Sequence, residues 1–318
     1  MRKSSAYKIP YDIRPSKQTE RRVLLDILRT ATESGFDLRR YKYIGFGGFR
    51  FYDFEMLYRH LGIRDMTSIE LDTTLSARCK FNKPFGFIDF REDFLGDYLD
   101  RTNFRKPIVA WLDYDCRLAD TVVKDLRMMC TKAPVGSFIF VTVDARLPEG
   151  LETLSPQERF AAIKHEYGEM ALADGPDDLS EEEFPQFVER VIWSVMSESL
   201  SRRSDGIFVP LVRVFYKDSA LMVTVGVCHS KPDLANEFRK RLKSDFRFLI
   251  PSGTARPFTI PAFNLTARER RLFDSAVTGK SGKSTLGGNL RRLGFTKREI
   301  DDYKKMQRFI PSYFESYF

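Results

Sequence analysis

No apolar run in this 318-residue chain approaches the roughly 18–20 residues that cross a bilayer, so a membrane-spanning helix is not expected. Cysteine is scarce: Cys79, Cys116, Cys130 and Cys228 lie far apart, and no CxxC pair occurs. That argues against a structural zinc site and a disulfide framework, and it makes a reducing, cytoplasmic setting the expectation. The three histidines, His60, His165 and His229, have no metal-ligand spacing, so no metal is expected. The basic N-terminal stretch MRKSSAYKIPYDIRPSKQTERR has no apolar segment behind it, which excludes a secretory-signal reading. Internal repeats and low-complexity tracts are also missing.

What is present is a globular composition, 42% apolar and rich in Phe, with a net charge of +8 that is unevenly spread. Residues 231–318 carry 19 Lys and Arg against 9 Asp and Glu. Residues 147–206 carry 5 against 14, and residues 1–50 carry 12 against 5. Basic ends suit a polyanionic partner, with nucleic acid the first expectation and an acidic protein surface the alternative.

Periodicity divides the chain into three parts. Residues 1–40 hold a basic segment and an amphipathic helix over 18–34, stopped by Gly35. Residues 41–230 alternate short apolar strands (41–46, 66–72, 84–90, 107–113, 136–145) with helices (51–62 and 118–133). Near-continuous apolar strands between helices predict a parallel sheet covered on both faces. An acidic helical insert over 147–206 interrupts this pattern. A hairpin over 207–230 then closes the sheet around the turn composition Lys217-Asp218-Ser219. Residues 231–318 read as a basic, mainly helical region with a Pro-rich linker over 250–264. Helices are expected near 265–277, with Thr266 as N-cap, and near 285–293 and 296–307.

Ligands of open α/β sheets lie beyond the carboxyl ends of the strands. There the first strand runs into Gly45-Phe46-Gly47-Gly48, and the second ends in Glu70, 23 residues after Gly47. Glu92 and Asp93 follow the third strand, and Asp113-Tyr114-Asp115 end the fourth. Glycines let a ligand lie against the turn, and a carboxylate at the second strand can accept both hydroxyl protons of a ribose. A dinucleotide fits less well, because GFGGFRFYD lacks the third glycine of GxGxxG and places Asp53 at the helix start. GKSGKST over 279–285 is not a phosphate loop: position 277 is Val where glycine is required, and a helix precedes it.

These features, with RPSKQTERRVLL, YIGFGGFRFYDFEMLYRHLGI, MTSIELD, VAWLDYD and GSFIFVTVDA, resemble the class I S-adenosylmethionine-dependent methyltransferase superfamily over residues 20–230. More narrowly they resemble bacterial proteins catalogued as O-methyltransferases and associated with defence-type gene neighbourhoods. The resemblance implies a Rossmann-like α/β fold whose seven-stranded, mostly parallel sheet ends in an antiparallel hairpin. It implies S-adenosylmethionine at Gly45, Phe46, Gly47, Gly48, Glu70 and Asp93, and chemistry near Asp113, Tyr114 and Asp115. Arg14, Lys17 and Arg21 line up ahead of the first helix as candidate phosphate or substrate contacts. Two departures stand out. Tyr43 occupies the place where the superfamily's first motif carries an acid, and Asp113-Tyr114-Asp115-Cys116 replaces the amino-methylating signature. The sequence therefore leaves two readings: a methyltransferase of unspecified acceptor, or a degenerate methyltransferase-like binding module in a defence complex.

Overall fold

A computed structural model describes residues 14–71, 74, 76–167, 179–218, 220–250, 256–278 and 283–311. The first part of the basic N-terminal stretch, the middle of the acidic insert, Ser219 of the hairpin turn and the 279–282 part of GKSGKST lie outside them.

The chain opens with α1 (Pro15–Glu33), whose first position is proline, where a missing amide costs nothing. Four parallel strands follow: β1 (Lys42–Gly45), β2 (Asp65–Glu70), β3 (Ile88–Glu92) and β4 (Ile108–Arg117). Between them lie α2 (Tyr52–Leu61), α3 (Ser76–Asn82) and α4 (Leu95–Arg101). Next come α5 (Asp120–Lys132), β5 (Ser137–Asp144), α6 (Pro156–Tyr167) and α7 (Phe184–Ser201). β6 (Ile207–Lys217) and β7 (Leu221–Ser230) form the hairpin, and α8 (Pro232–Asp245) follows.

With a short last strand β8 (Phe258–Ile260), the sheet order is β3-β2-β1-β4-β5-β7-β6-β8, with β7 antiparallel to both β5 and β6. The expected parallel sheet closed by a hairpin is present, with one strand more than the seven expected. β8 (Phe258–Ile260) lies inside the Pro-rich stretch read as linker and pairs in parallel with Val214–Tyr216. Three residues flanked by prolines carry too little periodicity to reveal a strand, and the open edge of β6 supplies the partner. The third strand also starts later than expected, at Ile88, because Pro84–Gly86 form the approach to it.

Two cores sandwich the sheet. One joins α1, α2 and α8 to Tyr43, Trp111, Phe138 and Val214. The other joins α4, α5 and α7 to Ile44, Leu112, Val141 and Val225. All eight residues of β5 are buried, as a central strand covered on both faces requires. α7, although within the acidic stretch, buries Phe187, Val188, Ile192 and Met196 against the sheet. Its Glu189 meets Arg213 of β6 in a buried ion pair, and Trp193 covers the guanidinium.

The tail carries α9 (Ala267–Thr278), α10 (Lys283–Arg292) and α11 (Lys297–Met306) around a small core of Phe273, Leu290, Ile300 and Tyr303. Thr266 caps α9 as its sequence suggests: its hydroxyl accepts the Glu269 amide at 3.3 Å while the Glu269 carboxylate takes the Thr266 amide at 2.7 Å.

Candidate active site

β1 ends at Gly45 and α2 begins at Tyr52, so the first of the three glycines closes the strand and Gly47 and Gly48 occupy the connection. They serve different ends. A Cβ on Gly45 would run into the Tyr43 hydroxyl, and one on Gly47 would lie 2.6 Å from the Phe51 ring and 2.8 Å from Ser68 Oγ. Close packing requires both. Gly48 has φ +53° and nothing within 4 Å of where a Cβ would stand. It turns the chain left-handed and leaves open space beside the backbone. Phe51 also has positive φ, 50°, which is strained for a bulky residue and is held because its ring is fully buried.

Glu70, at the end of β2, reaches under this loop. Its Oε1 accepts the Gly48 amide at 2.6 Å and the Ser68 hydroxyl at 3.3 Å, and the same Ser68 oxygen accepts the Gly47 amide at 3.1 Å. The Gly48 and Ser68 donors both reach Oε1, and neither reaches Oε2. Burial raises the Glu70 carboxyl to about 7, against the hydrogen bonds from Gly48, Ser68 and Gly47 that favour its ionised form. The Asp93 amide bonds the Glu70 carbonyl at 3.2 Å, so the ends of β2 and β3 are tied together. Leu71 follows Glu70 and Phe94 follows Asp93. Both are large apolar side chains more than half exposed, at 57% and 59%. A carboxylate anchored through one oxygen, beside two exposed apolar groups, fits a polar ring carrying hydroxyls joined to a flat aromatic base.

A second cluster lies at the end of β4. Lys17 is buried on the first turns of α1, and its Nζ stands 2.7 Å from Asp113, 2.7 Å from Glu20 and 3.2 Å from the Tyr216 hydroxyl. Trp111 lies under the ammonium at 5.2 Å. Glu20 is itself fully buried and accepts the hydroxyls of Thr142, at 3.0 Å, and Thr224. Beside them Arg21 pairs with Asp53 at 2.7 Å. Burial raises Asp113 to about 6; Lys17 pulls it down, and Glu20 and Asp53 push it up. Burial lowers Lys17, but Asp113 and Glu20 outweigh it, so the ammonium is held above its ordinary value. Asp113 keeps 22% of its side chain exposed, so it alone of this set faces outward as well as inward.

A family model described as "Putative O-methyltransferase" matches residues 9–318. The chain belongs to that family. No curated protein matches. Among solved structures, N-methyltransferase NodS from Bradyrhizobium japonicum WM9 in complex with S-adenosyl-L-homocysteine is 13% identical. That match has a TM-score of 0.39 and covers 69% of this chain and 89% of that one. Trm1 from Pyrococcus horikoshii with S-adenosyl-L-methionine is also 13% identical, with a TM-score of 0.42, covering 71% of this chain and 57% of that one.

In this member of that family the sequence-derived candidates separate. Gly47, Gly48 and Glu70 converge. Asp93 is present through its backbone, while its carboxylate pairs with Arg101. The Asp113-Tyr114-Asp115 run splits by strand alternation. Asp113 faces α1, whereas Tyr114 turns to the other face, donates to Asp125 at 2.8 Å and packs edge-on against Phe46 at 5.0 Å. Asp115 is exposed and close enough to raise Glu70. Arg14, Lys17 and Arg21 do not form an exposed cationic row. Arg14 meets Asp218 at 2.6 Å, and the other two are buried in the pairs above. The sequence lines up their charges ahead of the expected helix but does not report the carboxylates opposite. Leu71 and Phe94 escaped notice, although each directly follows a carboxylate at a strand's end.

Proposed function

We propose that this chain binds S-adenosylmethionine at the carboxyl edge of β1–β4 and methylates an acceptor presented beside Asp113, with a nucleic acid as the favoured acceptor class. The observation that carries the cofactor reading is Glu70: its Oε1 is anchored on Gly48 and Ser68 while its second oxygen, Oε2, takes neither of these donors, and Leu71 and Phe94 are exposed beside it. Glu70 would hold the ribose hydroxyls through that second oxygen, and Leu71 and Phe94 would cover the two faces of the adenine. The open side of Gly48 leaves room for the backbone to approach the ligand. When bound, the cofactor supplies a methyl group on a sulfonium and leaves as a neutral thioether.

The chain's own contribution is position and a proton acceptor. Asp113, near 6, is mainly ionised at neutral pH and can take the proton of an acceptor hydroxyl or amine as the new bond to carbon forms. Lys17, fixed by Glu20 and Tyr216, holds that carboxylate in place and stabilises its charge. Alignment of acceptor and methyl group supplies much of the rate. The basic ends of the chain support a nucleic-acid acceptor.

A binding module without catalysis is the second reading. It is favoured by Tyr43, whose hydroxyl fills the space beside Gly45, and by the Lys17–Asp113 pair, which already satisfies the carboxylate. Titration of S-adenosylhomocysteine into the protein by calorimetry separates the two. Binding in the wild type, weakened about 10–100-fold in Glu70→Ala, is the outcome expected when hydrogen bonds to a charged group are lost. No heat from folded wild-type protein at millimolar ligand, or equal binding by the variant, would overturn the cofactor reading.

A further inference from the structure

We infer that the corner between α10 and α11 is a docking surface for the backbone of a DNA duplex. This deepens the nucleic-acid part of the functional reading and rests on it, but is tested apart from it. The corner reads RRLGFTKR over 291–298, four cations in eight residues with no acid among them.

Its shape is fixed from within. Gly294, at φ +93°, ends α10, and the Phe295 amide closes back on the Leu290 carbonyl at 3.2 Å. The Phe295 ring packs on Phe273 at 4.9 Å. α11 then starts from Thr296 in a capping box with Glu299. Leu290, Ile300 and Tyr303 are buried beneath, and the Tyr303 hydroxyl donates to Asp274 at 2.8 Å. The far end of the module is tied to the body: Arg308 meets Asp26 at 3.4 Å, and Arg22 of α1 donates to the Ile310 carbonyl at 3.0 Å. Both helix ends in the corner are thus satisfied by the chain. What it offers outward is side-chain charge on a rigid frame.

That charge is unspent. Arg291, Arg292 and Lys297 are exposed and have no carboxylate within 4 Å among the described residues. Among the described residues Arg298, 86% exposed, has only Asp302, at 3.6 Å. Some other exposed cations of this chain are paired on their own helices, as Arg59 is with Glu55 and Arg241 with Glu237. Leu293, 59% exposed, sits at the apex between the two cationic pairs.

Two helices joined by a four-residue turn containing glycine, with cations ending the first helix and opening the second, suit a groove. The first turn of α11 can enter while the end of α10 meets the phosphates. The contact is confined to that first turn, because Asp301 stands one turn on and pairs with Lys304 at 3.6 Å. B-form DNA admits a helix in its major groove, whereas the deep, narrow major groove of duplex RNA does not, which selects DNA.

The test is fluorescence anisotropy on the full chain with a short mixed-sequence DNA duplex, with single-stranded RNA and heparin as competitors. Wild type is compared with R291Q/R292Q/K297Q/R298Q and with a control that alters scattered exposed cations, R105Q/R202Q/K240Q/K243Q. Duplex binding that weakens steeply with salt is expected. The corner variant should lose at least about tenfold in affinity and flatten the salt dependence by about three to four counterions, while the control stays near wild type. Far-UV circular dichroism and S-adenosylhomocysteine titration on the same variants report folding and the cofactor site separately. Absence of duplex binding at low salt, equal loss in the control, or preference for the RNA would overturn the surface. A corner variant that loses DNA but keeps S-adenosylhomocysteine locates the failure away from the cofactor reading.

Discussion

Glu70 is held by the Gly48 amide yet raised to about 7 by burial, and these opposed effects make its ionisation readable. Because its folded value lies above the ordinary 4.5, its contribution to stability is full below about 4.5 and lost as pH rises through about 7. In thermal melts between those limits, the wild type should therefore lose ground to Glu70→Gln as pH rises. Cofactor affinity should move the other way. An ionised carboxylate is the better ribose acceptor, so wild-type affinity for S-adenosylhomocysteine should rise across neutral pH while the Gln variant stays flat, as calorimetry at several pH values would read. Lys17→Met leaves Asp113 and Glu20 without their buried cation. It should cost about 3–5 kcal/mol in urea denaturation, the scale for breaking one partner of a buried pair. The glycines differ too. Gly47→Ala forces a methyl group onto Phe51 and Ser68 and should cost about 1–3 kcal/mol. Gly48→Ala meets no atom and should cost about 1–2 kcal/mol through its left-handed backbone.

At the scale of elements, the sequence periods explain what was legible. Strand β5 and helix α5 declared themselves because apolar continuity and helical spacing are local properties. The separation of Asp113 from Tyr114 follows from two-residue alternation alone. The burial of α1's first turns was not legible: Lys17 and Arg21 read as candidate phosphate or substrate contacts, and only the far-off Asp113 and Asp53 turn them inward. The glycine loop and Glu70 were found from spacing, but spacing could not divide the packing glycines from the open one. β8 exists because β6 has a free edge, a fact about partners rather than about Phe258–Ile260. Its one fully inward residue, Ile260, should cost about 2–4 kcal/mol on change to Ala, measured by denaturation of the whole chain.

The whole molecule places two chemically distinct ends on one frame. The carboxyl edge of the sheet gathers Gly48, Glu70, Leu71, Phe94 and Asp113, while the tail presents the cations of the α10–α11 corner. Family membership supports methyl transfer, and the central requirement of the proposed site is a nucleoside held by Glu70. A crystal structure determined with S-adenosylhomocysteine tests this most directly. The account predicts the ribose hydroxyls within hydrogen-bond distance of Glu70, the adenine between Leu71 and Phe94, and the thioether sulfur facing Asp113. A ligand bound elsewhere, or a ribose that leaves Glu70 untouched, would contradict it.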